Sequence, residues 1–189
     1  MSFDPDALLA HLQPDNVRKV LSLAGLSLVA NEMIESCIVH PVKGFYSWEF
    51  SKELEPVASE RYRQVVLKEY KHEVDACLAW LVDAGALTEC EAATVHRVRE
   101  VRNTLGHELT WLILDPKFQA DYEALFEFAD VVRRLGVFWA RMSIDADEDY
   151  DGRDISDEDI GSGMSMVYGL VFGAFVEGFA ECQNAASDA

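Results

Sequence analysis

Within six residues, Arg102-Asn103-Thr104-Leu105-Gly106-His107 gathers a side chain that grips phosphate, one that orients through hydrogen bonds and one that moves protons. A guanidinium stays charged and offers a planar fork that matches phosphate oxygens two at a time. An imidazole titrates close to neutral pH and can serve as acid and base in turn. The Asn103 amide stands beside the arginine and four residues before the histidine, so it can hold either in place. This set suits phosphate chemistry: the arginine can hold a phosphate while the histidine moves a proton beside it.

The three residues need one rigid element, and the sequence supplies a helix. Thr88-Glu89-Cys90-Glu91 has the capping-box pattern that opens helices, and the apolar spacing continues to about Leu114. At about 100° per residue, Val98, Val101, Leu105, Leu109 and Leu112 fall opposite His96 and are expected to face the core. Arg99, Asn103 and His107 lie within about 60° of His96, forming a polar stripe on which His96 and Arg99 are candidate substrate-binding residues. Arg102 sits on a flank between stripe and core, from which its long side chain can reach round. Gly106 weakens the helix by about 1 kcal/mol relative to alanine, which makes sense where a substrate or a partner helix must come close. Any surface helix also pairs a polar stripe with a core stripe, and that is the competing structural reading.

The Arg-polar-x3-His spacing on a helix resembles the signature of the HEPN superfamily, small all-helical proteins that include metal-independent ribonucleases. The resemblance covers the motif and its helical setting, roughly residues 60–115. It implies an endoribonuclease that needs no cofactor and takes RNA as substrate. His107 would assist proton transfer at the ribose 2′-hydroxyl or the leaving oxygen, Arg102 would stabilise charge on phosphorus, and Asn103 would orient them. It also implies a homodimer in which two motifs face each other across a two-fold axis. A role in toxin–antitoxin biology or phage defence, with an antitoxin or regulatory protein as partner, follows by the same resemblance. Some toxin members carry a modifiable tyrosine two residues after the histidine; here that position is Leu109.

Charge pulls the other way. The 189 residues hold 34 Asp and Glu against 16 Lys and Arg, a formal net charge of −18. Proteins that coat nucleic acid present basic surface, because phosphate neutralisation supplies most of their affinity, so that class is excluded. The acidity is uneven: residues 145–159 contribute −8, while residues 96–107 carry three arginines and two histidines against Glu100 alone. A small catalytic site remains compatible with this distribution. The alternative is a non-catalytic helical regulator or protein-interaction module, in which Arg102 would pair with Glu100 or Glu108.

The four cysteines (Cys37, Cys77, Cys90 and Cys182) show no CxxC pairing, and three lie in apolar helical patterns, as reduced core thiols do. The N-terminal residues lack the basic-then-apolar pattern of a signal peptide. The expected location is cytoplasmic, with no membrane span.

Apolar periodicity of three and four residues predicts helices over 5–12, 17–39, 59–83, 88–114 and 116–142, with a final helix over 163–182. His40-Pro41 is expected to end the second of these, and Asp115-Pro116 to open the fifth. Residues 42–57 read as an aromatic loop. The fold class is all-α, an antiparallel helical bundle of about five to six helices, HEPN-like. Residues 1–144 form the bundle, 145–162 an acidic loop, and 163–189 a C-terminal helix packing on the bundle or at a dimer interface. Glu69-x-x-His72 has di-iron spacing but no second copy. Asp145, Asp147, Asp149 and Asp151 open like a calcium loop, which then fails at Tyr150 and Ser156. No metal site is expected.

Overall fold

The computed structural model describes residues 9, 12–47, 57–68, 70–150, 153, 155–161, 163 and 165–174. Regular structure among them is entirely helical. The expectations for residues 5–12, 48–56 and 175–182, including Cys182, fall wholly or largely outside the described residues.

The first helix, α1, spans Pro14–Phe45. Proline suits its first turn, where the missing N–H has no partner to lose. The helix does not stop at His40-Pro41 as the sequence suggests. A π-helical turn over Glu35–Val39 precedes the proline, and α-helix resumes over His40–Phe45. Pro41 cannot donate to the Cys37 carbonyl four residues back; the Trp139 indole N–H donates to that carbonyl instead, at 3.4 Å. A tertiary hydrogen bond thus replaces the lost helical one. Leu26, Met33 and Cys37 are buried, whereas Leu21 and Leu28 are exposed. By length and mean hydropathy (1.3) α1 could cross a membrane, but half of its apolar window is buried inside the bundle.

The single helix expected over 59–83 is two. Ser59 caps α2 (residues 60–67) by accepting from the Tyr62 N–H at 3.0 Å. Lys68 then takes a positive φ of 39°, and α3 starts anew at Glu73–Asp83. Between them Tyr70, Lys71 and His72 are exposed, so no apolar anchor holds a continuous helix across the gap. The buried Tyr62 rejoins the pieces. Its hydroxyl donates to Glu73 Oε1 at 2.9 Å, beside Cys77 Sγ at 3.2 Å, and Lys43 Nζ reaches the same carboxylate at 3.0 Å.

α4 runs Glu89–Leu114 and opens as the capping box predicts. Thr88 Oγ1 accepts from the Glu91 N–H at 3.3 Å, and Glu91 Oε2 accepts from the Thr88 N–H at 2.7 Å. The next helix, α5, begins at Glu123–Asp145 and not at Pro116. Asp115 spends its carboxylate on the Lys117 N–H in a local turn, and the non-helical stretch 118–122 packs Phe118 and Tyr122 on the core. The Tyr122 hydroxyl donates to the Lys19 carbonyl at 2.7 Å.

These contacts fix directions. Arg97 pairs with Glu127 and Glu91 with Arg134, so α4 and α5 are antiparallel. Tyr122 meets Lys19 and Trp139 meets Cys37, so α1 and α5 are parallel and α4 opposes both. Ile34, Ile38, Leu81, Val95, Val98, Leu125, Phe128 and Leu135 fill the space between them. After the short 3-10 turn Glu148–Tyr150, helix α6 (Ser165–Ala174) lays Tyr168 and Phe172 on the core. The Tyr168 hydroxyl donates to the Leu125 carbonyl at 3.1 Å.

Candidate functional site

Helix α4 carries every candidate residue, and its faces divide as the wheel requires. Val98 and Leu105 are buried, while Val101, Leu109 and Leu112 pack against the core. His96, Asn103 and His107 are exposed; Arg99 on the stripe and Arg102 on its flank are half-buried. Arg102 Nη1 donates to Asn103 Oδ1 at 3.2 Å, which swings the guanidinium toward the stripe. Its Nε is shielded from solvent and has no hydrogen-bond partner among the described residues. An orphaned buried donor costs about 1–3 kcal/mol. Neither Glu100 nor Glu108 pairs with Arg102 among the described residues. His107 likewise has no polar partner there.

The other two candidates are held elsewhere. Arg99 Nη1 bonds Asp75 Oδ1 at 2.8 Å, and His96 Nδ1 stands 3.9 Å from the same oxygen. Asp75 on α3 therefore gathers His96 and Arg99 into a cluster of their own. His96 lies eleven residues from His107, about 16 Å along the helix axis, so the structure does not bring the two histidines together. Arg97 is also engaged, with Glu127 on α5 and beside Thr94. The basic island read from the sequence is thus largely neutralised, leaving Arg102 as its unpaired arginine. Long-range partners such as Asp75 and Glu127 leave no mark in local spacing.

No protein-family model, curated protein or solved structure matches this chain. What the motif can do therefore rests on its own geometry. His107 and Arg102 point about 140° apart around one helix, and only the bond to Asn103 closes that angle. Gly106 faces open space: a Cβ placed there would meet nothing within 4 Å. One turn beyond His107, on the same face, Trp111 is 72% exposed. Its i+4 spacing from the histidine was the signal in the sequence; a tryptophan ring offers a flat surface on which a nucleobase can stack.

The cysteines behave as core groups where they are described. Burial pushes the Cys37 and Cys77 thiols up to about 11, which disfavours the nucleophilic thiolate. Cys90 is exposed. Among the described residues no three His, Cys, Asp or Glu side chains converge as metal ligands. Glu69 lies outside them, and His72 is exposed in the break between α2 and α3.

Proposed function

We propose that the chain is a metal-independent endoribonuclease of HEPN type that cleaves single-stranded RNA in the cytoplasm as a two-fold homodimer. The observation that carries this reading is the state of Arg102, Asn103 and His107. A half-buried guanidinium with an orphaned Nε is steered by an amide toward an unpartnered, solvent-open histidine one turn away. His107 accepts the proton of the 2′-hydroxyl; the 2′-oxygen attacks phosphorus, and the bond to the 5′-oxygen breaks as that oxygen is protonated. Arg102 stabilises the charge gathered on the phosphoryl oxygens, and Asn103 sets its direction. Because one helix points the histidine and the arginine so far apart, a second motif across a two-fold axis supplies the missing wall. Trp111 gives a base a surface beside the reacting phosphate. The toxin or phage-defence role, with an antitoxin or regulatory partner, belongs to this reading through the family resemblance alone.

The test is cleavage of a fluorescent single-stranded RNA by the full chain with chelator present, beside a DNA oligomer of the same sequence. The expected result is RNA cut to fragments with 5′-hydroxyl ends and DNA left intact. RNA that stays whole across pH and salt would remove the enzyme reading. The non-catalytic interaction module would then stand, favoured by the neutralisation of Arg97 and Arg99 and by the net charge of −18.

A further inference from the structure

A second set of arginines lies on α5, away from the motif. Arg134 and Arg141, seven residues apart, lie about 20° apart around the helix and Arg133 about 80° from Arg141, so the three border one sector of about 100°. They line a cleft of about 540 Å³ with Val137 and Phe138, and the carboxylates of Asp130, on the same helix, and of Asp157 and Glu158, in the acidic segment, line it too. Its size falls within the usual range for small-molecule sites, about 300–1,000 Å³.

The three arginines are not equally engaged. Arg134 is tied down, with Nε donating to the Ala86 carbonyl at 2.9 Å and Nη1 to Glu91 at 3.2 Å. Arg141 is held by the acidic segment itself: Nε donates to Asp157 Oδ1 at 2.8 Å, and Nη2 to the Ile155 carbonyl. Arg133 is exposed and has no partner among the described residues. In a chain of net charge −18, a run of carboxylates is repelled from most of the surface. It is seated here, with an anionic oxygen on a guanidinium where a phosphate oxygen would sit.

We propose that this cleft binds a small phosphorylated ligand of nucleotide size, and that Asp157 competes with it by holding Arg141 where a phosphate oxygen would sit. Arg133 and Arg141 take the phosphate oxygens once the segment is displaced, and Val137 and Phe138 give the rest of the ligand an apolar floor. The site is distinct from the α4 motif. Glu91, the partner of Arg134, lies about 24 Å along α4 from His107, so the proposal stands whether or not the chain cleaves RNA.

The experiment is titration calorimetry of the full chain at low salt with chelator present, using ATP and inorganic pyrophosphate as probes. Asp157→Asn/Glu158→Gln should bind ATP up to about fivefold more tightly than wild type, the gain expected from releasing the one exposed ion pair between Arg141 and Asp157. Added salt should erode that binding as screening sets in. Arg133→Gln introduced into the double variant should weaken ATP at least about fivefold. It breaks no recorded contact, so an unchanged circular dichroism spectrum reads the site and not the fold. ATP binding tighter than pyrophosphate supports a nucleotide over a bare phosphate. Equal affinity for the two probes, equal affinity of wild type and double variant, or no effect of Arg133→Gln would overturn the proposal.

Discussion

His107 is exposed, without a polar partner among the described residues and opposite Val98 and Leu105, so its removal leaves no cavity in the core. His107→Ala should lower the RNA cleavage rate about 10²–10⁴-fold, the usual weight of a proton-transfer group, with the helical spectrum unchanged. A drop in rate accompanied by lost helicity would count against a chemical role. Arg102→Lys separates charge from geometry, because the ammonium keeps the charge and loses the fork and the Nε. Trp111→Ala should weaken single-stranded RNA binding by the amount one base stack supplies, about 1–3 kcal/mol, and Trp111→Phe should restore part of it. A KM unchanged by Trp111→Ala would leave the ring as a contact for protein alone. At this scale the sequence revealed which side of α4 each residue occupies, since the 100° step fixes it. It hid the capture of His96 and Arg99 by Asp75, because α3 comes to α4 only through the tertiary fold.

The elements that place these residues depend on a few hydrogen bonds that can be tested singly. Trp139→Phe would leave the Cys37 carbonyl without its donor, beside a proline that cannot serve, and should cost about 1–3 kcal/mol in denaturant unfolding. Stability equal to wild type would show that the π turn accommodates Pro41 unaided. The capping box of α4 makes a pH prediction. Burial raises the Glu91 carboxyl, but the Thr88 hydroxyl and N–H and the Arg134 guanidinium outweigh it, holding its pKa below the ordinary 4.5. A carboxyl depressed in the folded state contributes stability above its unfolded pKa, lost as pH falls through the folded value. Wild type should therefore lose more stability than Glu91→Gln on acidification below about pH 4.5; parallel curves would remove the box as an acid-sensitive element. Thr88, Glu91 and the 3.6-residue period of α4 and α5 were legible because caps and periodicity are local. Three boundaries were not. Pro41 is bridged by Trp139, 98 residues away in sequence; the gap after Lys68 follows from residues with nothing to bury against; and Asp115 forms a local turn in place of capping a helix.

At the scale of the whole molecule, charge and apolar surface oppose each other, and self-association of the chain is the measurement that tells which prevails. The outer side of α6 shows Met166 at 67% and Leu170 at 64% exposure, with Val167 and Val171 beside them and Phe126 nearby. Gly169 and Gly173 have nothing within 4 Å of an added Cβ, so a second helix can approach closely. Burying such a face on a second copy is favoured by about 25 cal/mol per Å² of apolar surface. Bringing together two chains of −18 each is opposed by repulsion that salt screens within about 10 Å at 0.1 M. The dimer should therefore tighten as salt rises, the reverse of a contact made by ion pairs. Sedimentation across a salt series measures this directly. Leu170→Glu should shift the chain to monomer without unfolding it, because the side chain it replaces is exposed. A chain that stays monomeric at high micromolar concentration and physiological salt would take away the second wall of the motif. Arg102 and His107 would then have to meet on one helix through Asn103 alone.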